Sequence, residues 1–340
     1  LNAATGGYGY DRQIIAGLRE LGWRVTVHAL DESFPFPTAA SLHQARTAFA
    51  QLQDDACVLV DGLAFGAMPE VLAAHAERLR LVALVHHPLA AETGLSRDAA
   101  LALDRSERES LRFARHVVVT SEVTAAAVTG FGVDRARISV VVPGTEEAPL
   151  APAQMEGNVI RLLCVATLTP RKGHDLLFEA LSTLREVSWK LVCVGSLTRG
   201  GPTVEALQRR LREAALEDRI ELVGELRSGA LTDAYMASDL FVLATRHEGY
   251  CMAVAEAIAH GLPVISTHTG AIPDLVGAEA GLIVPPDDGD AFRDALGRVL
   301  NDRALFESLR GGARRMRARV PRWHQSCIKM AQLLEQVRAS

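Results

Sequence analysis

Several things are missing from this sequence, and each absence removes a class of protein. No apolar run comes close to the roughly 20 residues of a membrane-spanning helix, so no segment is a candidate for one. No signal-peptide pattern is visible, and the expected location is the cytoplasm. The five cysteines, Cys57, Cys164, Cys193, Cys251 and Cys327, are scattered, mostly within apolar, strand-like runs. They form no CxxC pair and share no metal-binding spacing with histidine, which predicts reduced core thiols. Basic residues are not in excess: the formal charge is −5, whereas a nucleic-acid protein would carry a strongly basic footprint. There is no short internal repeat and no low-complexity tract. No acidic DxD cluster stands in a suitable strand-end loop.

What remains is a chain of 340 residues with 49% hydrophobic content, room for two domains with ample cores. Runs of Val, Leu and Ala without polar alternation recur between helical stretches, which predicts parallel sheets covered on both faces. In the first half a glycine-rich loop, Thr5 to Tyr10, precedes a helix from Asp11 to Leu21 and a strand from Arg24 to Leu30. Further strands are predicted at Cys57 to Val60, Arg80 to Val85, His116 onward with a Ser121 cap, and Ile138 to Val142. The second half predicts strands at Val159 to Thr167, Lys190 to Gly195, Ile220 to Gly224, Leu240 to Ala244 and Val264 to Thr267, then helix from Ala291 onward. The expected domains are residues 1–144 and 158–320, joined by a linker at 145–157 with prolines and acids; a C-terminal helix, 321–340, packs back on the first domain. Leu1 is not a start methionine and the chain opens in a loop, which predicts further residues upstream.

The most informative stretch runs from Thr245 to Thr267, where the apolar strand ending at Ala244 passes through Glu248-Gly249 into a small-residue helix stopped by Gly261-Leu-Pro263. Glu256 lies in that otherwise apolar helix, where a carboxylate must find donors, either a structural partner or the hydroxyls of a ligand. The amides of Gly249, Tyr250, Cys251 and Met252 open the helix and favour an anion. Upstream, Arg171-Lys172-Gly173 forms a basic loop after a strand, either two solvated charges or a clamp for a diphosphate, with lysine as a point charge and arginine as a planar fork. His86 and His87 follow the strand Arg80 to Val85, at the carboxyl edge where open α/β sheets bind ligands, and are either structural or ligand-facing. Gly6 and Gly7 read as a tight turn or a close approach to a ligand; the loop matches neither GxGxxG nor a P-loop.

The run Glu-Gly-Tyr-Cys, five residues, then Ala-Ile-Ala-His-Gly-Leu-Pro-Val-Ile, with its two spaced glutamates, resembles the signature of retaining glycosyltransferases of family 4 (group 1), which have the GT-B fold. The resemblance covers nearly the whole chain and is specific chiefly from Val165 to Val276. It implies two Rossmann-like doubly wound α/β domains facing a central cleft. It further implies that Glu248 contacts donor-sugar hydroxyls, that Glu256 accepts from the ribose, and that Lys172, with Gly173, holds the donor diphosphate. Thr167 stands where the family has an arginine, a departure for which Arg171 is the candidate substitute. Gly6, Gly7 and Gly195 line the donor site, Glu225 and Leu226 hold the base, and His86, with His87 second, lies near the sugar and the acceptor.

The implied reaction moves a hexose from a UDP- or GDP-linked sugar to an acceptor hydroxyl with retention of configuration, without a metal or other cofactor. Lys172, Arg171 and the helix N-terminus would stabilise the leaving diphosphate. The acceptor, whether glycan, lipid or small molecule, is not readable, and neither are the sugar and the base. The basic run Arg314 to Arg319 is a candidate for peripheral contact with anionic lipid at the inner membrane face, against a solvated helix. The alternatives are a nucleotide-sugar epimerase or hydrolase on the same fold, separated by whether release of nucleoside diphosphate needs an acceptor, and a non-catalytic nucleotide-sugar-binding regulator.

Overall fold

A computed structural model describes residues 6–152, 159–198 and 201–339. Thr5 and residues 153–157 of the expected linker lie outside the described residues. The chain forms two compact units, one comprising Gly7–Gly144 with the stretch from Trp323 onward, the other Thr145–Arg322. Each is a parallel-sheet α/β unit. In the first, β1 (Cys57–Asp61), β2 (Arg80–Val85), β3 (His116–Val119) and β4 (Ile138–Val140) pair in sequence order. β2 is buried from Leu81 to Val85 and its neighbour β3 from Val117 to Val119, which is why both read as continuous apolar runs. The helix Trp323–Ala339 belongs to this unit: Arg80 donates to the carbonyl of Val337 at 3.1 Å, and the Arg338 guanidinium lies over the Trp23 ring.

The segment Arg24 to Leu30 is not a strand. It makes no ladder with any described residue, and Val27 is 42% exposed. Apolar alternation alone does not make a strand, because both the backbone ladder and the buried face must be supplied by a neighbour. The glycines at 6 and 7 are likewise not a loop: the first helix is Gly6–Glu20, starting five residues before the expected Asp11. Two glycines are tolerable there because the first turn has no intrahelical N–H partner to lose.

The second unit contains β5 (Ile160–Val165), β6 (Trp189–Val194), β7 (Ile220–Gly224), β8 (Leu240–Leu243), β9 (Val264–Thr267) and β10 (Gly281–Val284). Their spatial order is β10-β9-β8-β5-β6-β7. The chain builds outward from β5 to β7, returns to the other side of β5, and builds outward again through β8 to β10. Right-handed crossovers place the two sets of helices on opposite faces, and the direction reverses between β5 and β8. The expected linker is fixed to this unit over its described part: Ala151 N–H donates to the His260 carbonyl at 2.8 Å, and His260 Nδ1 lies 2.9 Å from the Pro149 carbonyl. The C-terminal helical run is broken into Gly289–Asn301, Arg303–Met316 and Trp323–Ala339, with Asp302 accepting from Leu305 N–H to cap the second piece.

Candidate functional site

The reversal between β5 and β8 is where an open parallel sheet leaves a crevice at its carboxyl edge. The loop after β5 is Ala166 to Gly173, and the loop after β8 is Ala244 to Cys251. They are interlocked through the backbone. Arg246 N–H donates to the Arg171 carbonyl at 2.8 Å, and the Thr245 hydroxyl oxygen lies 3.1 Å from the same carbonyl oxygen. Gly173 sits at φ 65°, and a Cβ on it would fall 1.9 Å from the Ala244 carbonyl oxygen. The two loops therefore meet only because residue 173 has no side chain.

Into this junction the loops bring one acid and two cations. Lys172 Nζ lies 2.5 Å from Glu248 Oε1, Arg171 Nη1 lies 3.7 Å from Glu248 Oε2, and the Thr245 hydroxyl donates to Oε1 at 3.1 Å. Glu248 is only 6% exposed. Burial alone would raise its pKa, but the fields of Lys172 and Arg171, with the hydrogen bonds from Lys172 and Thr245, outweigh it and hold the carboxyl below its usual range. Glu248 is therefore ionised at neutral pH. The Arg171 guanidinium also donates to the His247 carbonyl at 2.9 Å, which points its fork toward the second loop. The junction thus offers a carboxylate able to accept from hydroxyls beside two cations able to attract an anion.

The helix after this loop is Met252–Ala259, the small-residue run expected for it; of the four amides expected to open it, those of Gly249 and Tyr250 lie in the turn before it. Cys251 is its N-terminal cap at φ 74°, a left-handed conformation uncommon for a residue with a side chain and of the kind that collects at functional turns. The Tyr250 hydroxyl is buried without a hydrogen-bond partner. Glu256 has a protein partner: the Tyr235 hydroxyl donates to its Oε2 at 2.9 Å. Burial lifts the Glu256 carboxyl to about 7, the Tyr235 hydrogen bond opposing part of the shift. Of the two kinds of donor expected for it, Glu256 has the structural partner at one oxygen. It remains half-buried, and its other oxygen has no protein partner among the described contacts.

The remaining second-unit positions are more scattered. Thr167 accepts through its carbonyl from Thr169 N–H at 2.8 Å. Gly195 follows β6, where a Cβ would fall 1.9 Å from the Ala166 carbonyl oxygen, so strand packing alone demands glycine there. Glu225 and Leu226 follow β7 at the carboxyl edge, with Glu225 near Arg227.

In the first unit, His86 follows β2 directly and gathers two acids that its sequence gave no sign of. Its Nε2 lies 3.3 Å from Asp11 Oδ1 on the first helix and 3.6 Å from Asp61 Oδ2 at the end of β1. The Tyr10 ring stands edge-on to it at 5.3 Å, and a Cβ on Gly7 would come within 3.3 Å of its ring. Burial pushes this imidazole down, but hydrogen bonds and fields from Asp11 and Asp61 win and lift it to about 9. His87 turns toward Glu92, 3.7 Å away. A raised folded pKa contributes stability that is complete below about 6.5 and is lost as pH rises through about 9. Chemical denaturation at pH 6 and pH 9.5 should therefore show the native protein losing about 3 kcal/mol more than His86→Gln across that window. Parallel curves would remove His86 as an imidazolium.

Arg246 is a third cation that sequence reading passed over. It pairs in bidentate fashion with Asp175, both contacts at 2.9 Å, and reaches Asp287 at 2.6 Å, bracing the second loop against the helix that follows the first. Its adjacency to Glu248 was the available signal. Asp11 and Asp61 carried none, since their distance in sequence from His86 is bridged only by the packing of the first helix and the pairing of β1 with β2.

Comparison with known proteins places both units. Residues 160–302 match the family model described as Glycosyl transferases group 1, and residues 12–148 the one described as Glycosyltransferase Family 4. Among curated relatives, the MMP alpha-(1->4)-mannosyltransferase of Mycolicibacterium hassiacum is 27% identical over 323 residues, covering 89% of this chain and 75% of that one. The lipopolysaccharide core biosynthesis mannosyltransferase LpsB of Rhizobium meliloti is 36% identical over 146 residues, which is 41% of each chain. Among solved structures, sucrose-phosphate synthase from Thermosynechococcus elongatus superposes with a TM-score of 0.82 at 22% identity, covering 99% of this chain and 94% of the other. HepE from Anabaena, in complex with UDP and glucose, gives 0.76 at 17% identity, covering 98% and 97%.

Proposed function

The chain belongs to the family 4, group 1 glycosyltransferases of GT-B fold, and from that premise we propose that it moves a hexosyl group from a nucleoside-diphosphate sugar to an acceptor hydroxyl with retention of configuration. The observation that carries the reading is the Glu248–Lys172–Arg171 cluster at the sheet reversal of the second unit. When the anomeric C–O bond loosens, positive charge develops on the sugar and negative charge on the departing diphosphate. Preorganised cations serve the second charge, and an ionised carboxylate that holds sugar hydroxyls serves orientation. Lys172 and Arg171, with the amides opening the helix at Met252, supply the stabilisation without a divalent ion. Glu248 is assigned to the hydroxyls rather than to nucleophilic attack. His86, with Asp11 and Asp61, is assigned to the sugar and acceptor side.

The names of the relatives favour a mannosyl donor as the first to test, and the UDP seen in one structural neighbour adds UDP-sugars to the panel. The purified protein is mixed with GDP- and UDP-sugars and a panel of glycan, lipid and small-molecule acceptors, and nucleoside diphosphate release is followed. Release that needs an acceptor, with the product's anomeric configuration matching the donor's by NMR, supports transfer. Release without acceptor would favour hydrolysis, and binding without turnover a regulator. On the same reading Glu256→Gln should raise the donor KM about tenfold with a smaller change in kcat, as expected for one lost charge-assisted hydrogen bond to the ribose. An unchanged donor KM leaves Glu256 as a partner of Tyr235 alone.

A further inference from the structure

Beneath the loop that carries Lys172, the second unit buries a cluster that the transfer reaction does not use. Cys164 and Cys193 are registered partners on the adjacent parallel strands β5 and β6. His174, the first residue of the helix His174–Ser182, completes the group. The sulfur of each cysteine and a ring nitrogen of the histidine all lie within 4.8 Å of one another, and all three residues are fully buried. Cys164 Sγ lies 3.6 Å from His174 Nε2, and among the described residues His174 Nδ1 has no hydrogen-bond partner. The ring nitrogen nearest the cysteines thus has a sulfur, itself a soft metal ligand, as its polar neighbour.

We propose that Cys164, Cys193 and His174 form a buried binding site for a thiophilic divalent metal ion of the Zn²⁺ type. A tetrahedral zinc, about 2.3 Å from sulfur and about 2.0–2.1 Å from nitrogen, sets its ligand atoms roughly 3.5–3.8 Å apart, which the Cys164–His174 separation already meets; the three side chains fill three of its four positions. Charge agrees as well: two thiolates and a neutral imidazole around a dication sum to zero, so the loaded site adds no net charge to an apolar interior. His174 directly follows Lys172 and Gly173. The metal would therefore fasten the start of that helix to both strands and hold the basic loop in place. Short-spacing rules miss the site because strand pairing, not sequence proximity, brings the cysteines together.

The test uses the whole protein, reduced and stripped of metal with a chelator that is then removed. Titration with ZnCl₂ against a chromophoric competitor should show a single ion per chain at micromolar or tighter affinity, with a higher Tm on loading. Uptake should fall at least tenfold in Cys193→Ala and in the Cys164→Ala/Cys193→Ala double variant, while Cys57→Ala and Cys327→Ala take up zinc as the parent does. Should the core variants not fold, Co²⁺ bound to the parent protein decides: a thiolate-to-cobalt charge-transfer band supports the site. No uptake by the parent, uptake that the double variant retains, or a cobalt adduct lacking the thiolate band would each overturn it.

Discussion

Lys172→Met is expected to lower kcat by about 10²–10³-fold, the loss that follows when one preorganised group facing a developing negative charge is removed, with a smaller rise in donor KM. The same change has a structural cost, because Glu248 is only 6% exposed and loses its nearest cation. Removing one partner of a buried pair destabilises by about 3–5 kcal/mol, and the lower end applies here since Arg171 and Thr245 still contact the carboxylate. The two consequences separate in a double variant. Lys172→Met with Glu248→Leu removes the closest charged pair and leaves Arg171 bonded to the His247 carbonyl, so stability should return part of the way toward that of the native protein while turnover stays low. Turnover that returns with stability would assign Lys172 to holding the loop rather than to the leaving group. The pH profile of unfolding gives a second reading. A carboxyl held below its ordinary range stabilises the native state above the unfolded pKa, and that contribution disappears as pH falls through the lower folded value. The acid-side decline should flatten in the double variant.

The reading of the sequence was strongest where burial decides conformation. β2, β8 and β9 fall at Arg80–Val85, Leu240–Leu243 and Val264–Thr267, within the runs expected for them, because strands flanked on both sides and covered on both faces cannot hide their apolar character. The segment from Arg24 to Leu30 carries a comparable pattern and forms no ladder, since a pattern states what a strand could bury but not whether a neighbour is present. The first helix start was missed, because two glycines suggested a turn where a helix begins at Gly6, whereas the small-residue run from Met252 to Ala259 is helical as expected.

The candidate site divides the same way. Glu248, Lys172 and Arg171 were legible because each follows a strand in a sheet whose carboxyl edge binds ligands, and motif order placed them. Their mutual contact was not legible, since it depends on β8 lying beside β5 rather than beside its sequence neighbour β7. The carboxylates around His86 belong to the same class: Asp11 comes from a helix and Asp61 from the end of a different strand, and only the assembled first unit brings them to one imidazole. So do the Arg246 bridge to Asp175 and the Cys164–Cys193 register. Long-range polar contacts are properties of topology, and a sequence supplies the residues without supplying the neighbours.

That dependence on one strand junction makes Gly173→Ala the second large effect. An alanine Cβ would stand 1.9 Å from the Ala244 carbonyl oxygen and 2.8 Å from its carbon, backbone atoms of β8's end that no rotamer change can move aside. The residue also sits at φ 65°, where a side chain adds roughly 1 kcal/mol of strain even in open space. Relief requires the loop after β5 to lift from the end of β8. Lifting it strains the Arg246 hydrogen bond to the Arg171 carbonyl and carries Lys172 away from Glu248. A loss of at least about 3 kcal/mol is expected, which for a cooperative unit of about 150–250 residues lowers Tm by roughly 6–12 °C. Turnover should fall together with stability, because the same displacement takes the cation from the site. Gly229→Ala is the matching control, in a helix of the same unit where the added methyl meets nothing within 4 Å; it should leave Tm unchanged or slightly raised. A Gly173→Ala protein with native Tm and native turnover would mean that the two loops need not meet as closely as they do here, and the Glu248–Lys172 pair would lose its claim to be the centre of the site.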